Sequence, residues 1–164
     1  MKIIGFKHLF VLICTFLSLG AGCDSDNNDL IEFSIIKVKG LSVCGDSCYI
    51  KNSKGTDTEY IINSQEDFES LFECNPAVDF KPEIDFSKYI LIAGTRRVIG
   101  ICPELLEQNL FINSDGLKVI FNLKIKSGGY AAIGSANFHS LILREDFKGN
   151  EIEINSEIIP FVQN

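Results

Sequence analysis

Histidine is scarce in this chain: 164 residues hold only His8 and His139. A Ser-His-acid relay needs an imidazole within hydrogen-bond reach of its nucleophile. His139 stands beside Ser140, but neighbours in a strand point to opposite faces, so a packed or surface histidine is the simpler role. Zinc asks for three or four clustered ligands, and one histidine with a Cys-x3-Cys pair does not make that set. Phosphate-cradling glycine patterns are missing too, because Gly94, Gly100, Gly128, Gly129 and Gly134 are not spaced for one. Gly45-Asp46-Ser47 lacks the flanking glycines of a nucleophile elbow. Basic charge is in short supply: fifteen Lys and Arg face 22 Asp and Glu, a net charge of −7. A phosphate-backbone binder needs the opposite sign, and Arg96-Arg97 is too small for a basic patch, so nucleic acid is not an expected partner. Carboxylates are plentiful but not site-like. Glu66, Glu69 and Glu73 suit a solvated helix face, and Asp79, Glu83 and Asp85 lack the dense oxygen pattern of a calcium loop. No catalytic residue, metal or cofactor is expected from this inventory.

Long apolar runs are also absent. The most apolar stretch, Leu9 to Leu19, has eleven residues, which as a helix spans about 16 Å at ~1.5 Å per residue. A bilayer core is ~30 Å thick, so the stretch is short for a membrane span. It follows Lys2 and Lys7 and leads through Gly20-Ala21-Gly22 into Cys23, the layout of a secretory signal. The segment resembles a bacterial lipoprotein signal, with Gly20 standing where the usual box has a branched apolar residue. The resemblance implies cleavage after residue 22, diacylglycerol and palmitate on Cys23, and attachment to the membrane through that lipid. An ordinary signal cut near Ala21 would leave Cys23 a plain thiol. Residues 23–30 include Asp24-Ser25-Asp26-Asn27-Asn28-Asp29, with three carboxylates and no large apolar side chain until Leu30. Such a run cannot bury enough surface to fold and reads as a tether. It also resembles the export tethers of Bacteroidota-type surface lipoproteins, which implies the outer face of the outer membrane. The alternative is a plain spacer.

Cleavage there leaves 142 residues, enough for one domain, assigned to residues 31–164. Lys2 and Lys7 leave with the signal, so thirteen basic residues face 22 acidic ones and the net charge falls to −9. Four cysteines remain besides Cys23: Cys44, Cys48, Cys74 and Cys102. An even number in an exported chain favours disulfides. The favoured pairs are Cys44–Cys48, across the natural turn Gly45-Asp46-Ser47, and Cys74–Cys102; cross-pairing stays open. The Cys44–Cys48 spacing differs from the two-residue spacing of thioredoxin-like redox sites.

The apolar pattern predicts an α+β fold: an antiparallel sheet of about seven strands with one helix, early in the chain, packed on it. Residues 30 to 39 read as a first strand, and Tyr49-Ile50 with Glu59 to Ile62 as a hairpin around Asn52-Ser53-Lys54-Gly55. Ser64 opens the helix with a near capping box; Phe68, Leu71 and Phe72 form its apolar face, and Asn75-Pro76 stops it. The continuous run Tyr89 to Ala93 predicts a central strand covered on both faces. Leu105 to Asn113 and Leu117 to Lys126 predict a hairpin through Ser114-Asp115-Gly116. In the second of these strands Val119, Phe121, Leu123 and Ile125 alternate with Lys118, Asn122, Lys124 and Lys126, as in a sheet wet on one side. Final strands are expected at Asn137 to Glu145 and Glu151 to Ser156.

Ser127-Gly128-Gly129-Tyr130 breaks this pattern. Two glycines open backbone conformations closed to other residues, and Tyr130 offers a flat face with a polar tip. The loop is the candidate binding edge; the simpler alternative is a bulge. A helix with Phe68 and Leu71, then Ile84-Asp85-Phe86-Ser87, then Tyr89 to Ala93, then a Gly-Gly-Tyr loop is similar to the C-terminal domain of bacterial protease-complex accessory subunits. About 34 residues separate the loop from the strand here, where that family has few. The resemblance implies a protease-associated or inhibitory subunit and no catalytic residue. Taken together, the sequence points to a non-enzymatic cell-envelope lipoprotein, a surface-exposed binding or accessory module for a protein or another envelope component. The alternatives are the protease-associated subunit and an envelope hydrolase with an unrecognised site.

Overall fold

The computed structural model describes residues 29–41, 48–75 and 82–162. The signal segment, Cys23, the tether up to residue 28, Cys44 and Asp79 lie outside the described residues. The described chain is mostly strand with one short helix, an α+β arrangement. The elements are β1 (Leu30–Phe33), β2 (Cys48–Ile50), β3 (Thr58–Ile62), α1 (Gln65–Leu71), β4 (Phe72–Cys74), β5 (Tyr89–Ile101), β6 (Glu104–Asn113), β7 (Lys118–Lys126), β8 (Gly129–Leu143) and β9 (Glu151–Ile159). These nine strands form three sheets, ordered β1-β6-β7-β9, β3-β5-β8 and β2-β4. One sheet of about seven strands is therefore corrected to three sheets and nine strands among the described residues.

The first two sheets stack as a sandwich. Its interior joins Leu110 and Ile112 of β6 and Val119, Phe121, Leu123 and Ile125 of β7 to Ile90, Ile92 and Val98 of β5 and Ala136, Phe138 and Ile142 of β8. A second core lies on the other face of β5. There Leu91 and Ala93 pack with Phe68 of α1, Phe72 of β4, Cys48 and Ile50 of β2, and Val38. The strand Tyr89 to Ala93 is thus covered on both faces, as its unbroken apolar run predicts.

The β6–β7 hairpin forms at its expected place. Asn113 Oδ1 accepts from Lys118 N at 2.8 Å and Asp115 Oδ1 from Leu117 N at 2.9 Å, which closes the turn. The outward face of β7 is wet and charged. Lys118 meets Glu151 at 2.8 Å and Glu153 at 2.7 Å, and Lys124 lies 3.6 Å from Glu107 and 3.7 Å from Glu157. Glu151 first, and then Glu153, raise the Lys118 ammonium above its ordinary value.

Three expectations fail for reasons beyond local pattern. The proposed hairpin of Tyr49-Ile50 with Glu59 to Ile62 does not form: β2 pairs with β4, and β3 with β5. Between them Ser53 Oγ donates to Ile50 O at 2.7 Å and Thr56 N to Ser53 O at 3.1 Å, so the segment folds on itself and carries the chain to another layer. The helix opens at Ser64, whose Oγ accepts from Asp67 N at 3.0 Å, but it ends at Leu71. Phe72 is already extended and starts β4, where pairing with β2 replaces a further helical turn. Finally, β9 runs parallel to β7, not antiparallel. β8 crosses to the facing sheet, so two reversals return the chain beside β7 in the same direction.

Strand lengths differ as well. β1 stops at Phe33, beyond which Ile36 makes a single bridge to Leu141. β5 runs on to Ile101, and β8 begins at Gly129 rather than Asn137; the two pair from Tyr89 with Leu143 to Ile99 with Ile133. The favoured disulfide pairing is corrected too. Cys48 and Cys74 face each other in register on β2 and β4 and are bonded together. Cys102 is also disulfide-bonded, to a partner outside the described residues.

Candidate functional site

Ser127-Gly128-Gly129-Tyr130 lies at the end of the sandwich where β7 hands the chain to β8. The crossing brings backbones into contact. A Cβ on Gly100 would lie 2.1 Å from the Gly128 carbonyl oxygen, and one on Gly128 would lie 1.8 Å from that of Ile101. Gly100 also has a φ of +101°, a conformation that only glycine adopts at low cost. These two positions admit no side chain. The β5–β8 register slips beside them, between Ile99 and Ile101. Tyr130 and Cys102 flank the crossing with φ of 70° and 51°, left-handed values that cost a non-glycine residue of order 1–3 kcal/mol.

Tyr130 points away from the fold and is 83 % exposed. The loop forms one wall of an open groove of about 730 Å³. Arg97, Val98 and Ile99 of β5 and Ile133 of β8 continue that wall, and Ile158, Pro160 and Phe161 stand across from it. Much of the lining is exposed apolar surface: Ile99 is 71 % exposed, and Ile133, Ile158 and Phe161 about half. A soluble surface rarely gathers large apolar residues this way without a partner. The groove holds one cation, Arg97, whose guanidinium has no partner among the described residues. Its backbone N–H donates to Asp57 Oδ1 at 2.6 Å.

The sequence identifies the Gly-Gly-Tyr loop but misses its partners on β5 and β9. Their signal is faint: Ile158-Ile159-Pro160-Phe161-Val162 is an apolar cluster that follows the polar run Asn155-Ser156-Glu157, with Pro160 ending the pairing.

The other chemistry-bearing residues are engaged in the fold. His139 Nε2 accepts the Val38 N–H at 3.1 Å, which requires an unprotonated nitrogen there. Burial first, and then the Lys37 charge, push its pKa down to about 4. Ser140 Oγ accepts from Ile36 N at 3.2 Å and is fully buried in the opposite direction. Both side chains thus tie the 36–38 segment to β8. Asp85 accepts from the hydroxyl and N–H of Ser87, and the hydroxyl bond is the first cause of its lowered pKa. Among the described residues no three His, Cys, Asp or Glu side chains converge as metal ligands, and no helix is long and apolar enough to cross a membrane.

No family model, curated protein or solved structure matches the chain. The groove therefore stands on its own geometry.

A second relation concerns the ends of the sandwich. Ile31 is level with Ile112, Val119 and Ile152, whereas Lys126 and Ile159 mark the groove end. Seven residues of strand separate these levels, about 23 Å at ~3.3 Å per residue. The chain thus enters the described fold at the end remote from the groove.

Proposed function

We propose that this chain is a non-enzymatic, lipid-anchored module of the cell envelope that binds another envelope protein through the groove beside Tyr130. The carrying observation is the exposed apolar groove at the end of the sandwich opposite Leu30. A lipid on Cys23 with the acidic tether behind it holds the Leu30 end toward the outer membrane. The groove then faces away from the lipid, where a partner reaches it. The apolar lining supplies binding energy, and the strained Tyr130 backbone holds the ring outward, which lowers the cost of ordering it on contact. The engagement of His139 and Ser140 in backbone bonds supports a binding role over a hydrolytic one.

Two measurements test this. Intact mass and palmitate labelling compare the wild type with Cys23→Ala: lipid is expected on the wild type alone, and an unlipidated wild type refutes the anchor. Bis-ANS fluorescence reads the groove: Ile158→Glu is expected to remove most of the dye uptake, and unchanged uptake refutes an accessible apolar site. Protease treatment of whole cells then reads orientation, since full protection argues against a surface location.

A further inference from the structure

β5 is thirteen residues long, and its two edges are unequally occupied. β8 lies along one edge from Tyr89 to Ile101. Along the other, β3 pairs only with Leu91 to Thr95. Among the described residues no strand continues beside Arg96 to Ile101. The pairing stops where the Asp57 carboxylate, rather than a carbonyl, takes the Arg97 N–H. That bond turns the Arg97 amide toward the vacant side. Backbone groups alternate along a strand, so Ile99 turns its N–H and C=O the same way. An open edge of this kind is a template for another strand.

Its surroundings specify the occupant. The groove lies along this edge, with Val98 and Ile99 on it and Ile158 and Phe161 across. Arg97 is an exposed cation without a partner among the described residues, in a chain of net charge −7. Apolar walls, the outward N–H and C=O of Ile99 and one guanidinium without a partner among the described residues complement an extended peptide with apolar side chains and one carboxylate. The chain's own tether does not suit, because residues 24–29 carry three carboxylates and no large apolar side chain, and Leu30 lies at the far end.

We infer that the edge from Arg97 to Ile99 is a strand-addition site for an extended segment of a partner protein, with its carboxylate on Arg97. This rests on the groove-binding reading. Main-chain bonds to Ile99 set the register, the groove takes alternate side chains, and Arg97 selects the charge, the division of labour of β-strand addition.

The test uses the full chain in detergent micelles and a fluorescent, N-acetylated, C-amidated heptapeptide of valine, isoleucine and threonine with one glutamate. Anisotropy is expected to show saturable binding. Arg97→Gln is expected to weaken it about tenfold, the scale of one charge-assisted hydrogen bond. A peptide with glutamine for glutamate should weaken equally and lose nothing further in Arg97→Gln. Methylating alternate backbone amides of the peptide is expected to abolish binding. Ile99→Pro should abolish it as well, since an edge strand tolerates proline where the N–H faces outward, while Ile99→Thr retains it. If the methylated peptide binds undiminished, strand addition is wrong and the groove reading stands. Absent peptide binding with dye uptake still lost in Ile158→Glu also overturns this inference alone; failure of both overturns both. A concentration-dependent dimer that Ile99→Pro dissolves, with no peptide bound, assigns the edge to a second copy and overturns the partner named here.

Discussion

The two halves of β5 share one strand and have little else in common. From Leu91 to Thr95 the strand has β3 on one edge and β8 on the other. One face packs into the sandwich and the other under α1 and the β2–β4 pair, leaving Leu91 and Ile92 at 0 % exposure. From Arg96 to Ile101 no strand among the described residues lies along one edge, and Ile99 is 71 % exposed. Thr95 marks the boundary. It is fully buried, its hydroxyl donates to Thr56 O at 2.8 Å, and it lies 2.9 Å from the Thr58 hydroxyl. Edge pairing and the covering of the outer face end at the same residue because β3, and the 53–57 segment that feeds it, supply both, while Val98 beyond it stays buried in the sandwich. The first half is scaffold, and the second half is what the scaffold displays.

The largest expected effect contrasts the halves directly. Leu91→Ala should cost about 4 kcal/mol, within the range for buried leucine truncations that leave a cavity. Ile99→Ala should stay within about 0.5 kcal/mol, as for surface positions. Urea unfolding of both variants measures the difference. Equal costs would mean that the outer half is packed in solution and the proposed groove closed.

Next comes the Cys48–Cys74 bond, which clamps β2 to β4 above Leu91 and Ala93. Its sequence separation is 26, so the chain-entropy model assigns it about 3.5 kcal/mol. Replacing both cysteines by alanine should lower the urea midpoint accordingly while the outer half keeps its peptide and dye binding. Loss of binding in a variant still folded would show that the clamp also shapes the groove.

The contrast between halves also governs what could be read without coordinates. Covering on both faces makes every side chain from Ile90 to Ala93 apolar, and that run is visible directly. The β6–β7 hairpin is equally visible, because one wet face enforces alternation and Asp115-Gly116 marks the turn. Beyond Thr95 the strand contains Arg96-Arg97 and Gly100, and opposite it β8 contains Ala131, Ala132, Gly134 and Ser135. Small and charged residues where one edge is vacant carry no period, so both strands look shorter than they are. Which strands pair is a separate matter. The hairpin around Asn52 to Gly55 is locally plausible, yet β2 finds β4 and β3 finds β5 through contacts distant in sequence. Of the candidate site, the two glycines and Tyr130 are visible because their spacing is unusual. Ile99, Ile133, Ile158 and Phe161 are ordinary residues that become a groove only when three strands meet.

A third prediction uses pH. His139, opposite Ala93 in the inner half, has a folded pKa pushed down to about 4 against an ordinary 6.5. Between those values the unfolded chain binds a proton that the folded chain does not. Stability from this group is therefore fully present above about 6.5 and is lost as pH falls toward 4. At pH 5 the loss should reach about 2 kcal/mol relative to pH 7. Comparison with His139→Gln isolates it from carboxylates that titrate lower, and a variant with the wild-type pH slope would remove His139 as the cause. Binding in the outer half should follow this loss only as far as the whole chain unfolds.

The smallest expected change in stability carries the sharpest distinction. Tyr130 is 83 % exposed and its φ is 70°. Tyr130→Gly removes little buried area and relieves a left-handed backbone, so it should leave stability within about 1 kcal/mol of the wild type or raise it slightly. If the ring serves only the fold, nothing else should change. If the strained backbone exists to hold the ring beside the groove, peptide affinity should fall while the urea midpoint does not. Tyr130→Phe, which keeps the ring and loses only the hydroxyl, should bind like the wild type. Parallel loss of stability and affinity in Tyr130→Gly would instead make the tyrosine part of the scaffold, and the division at Thr95 would no longer separate holding from presenting.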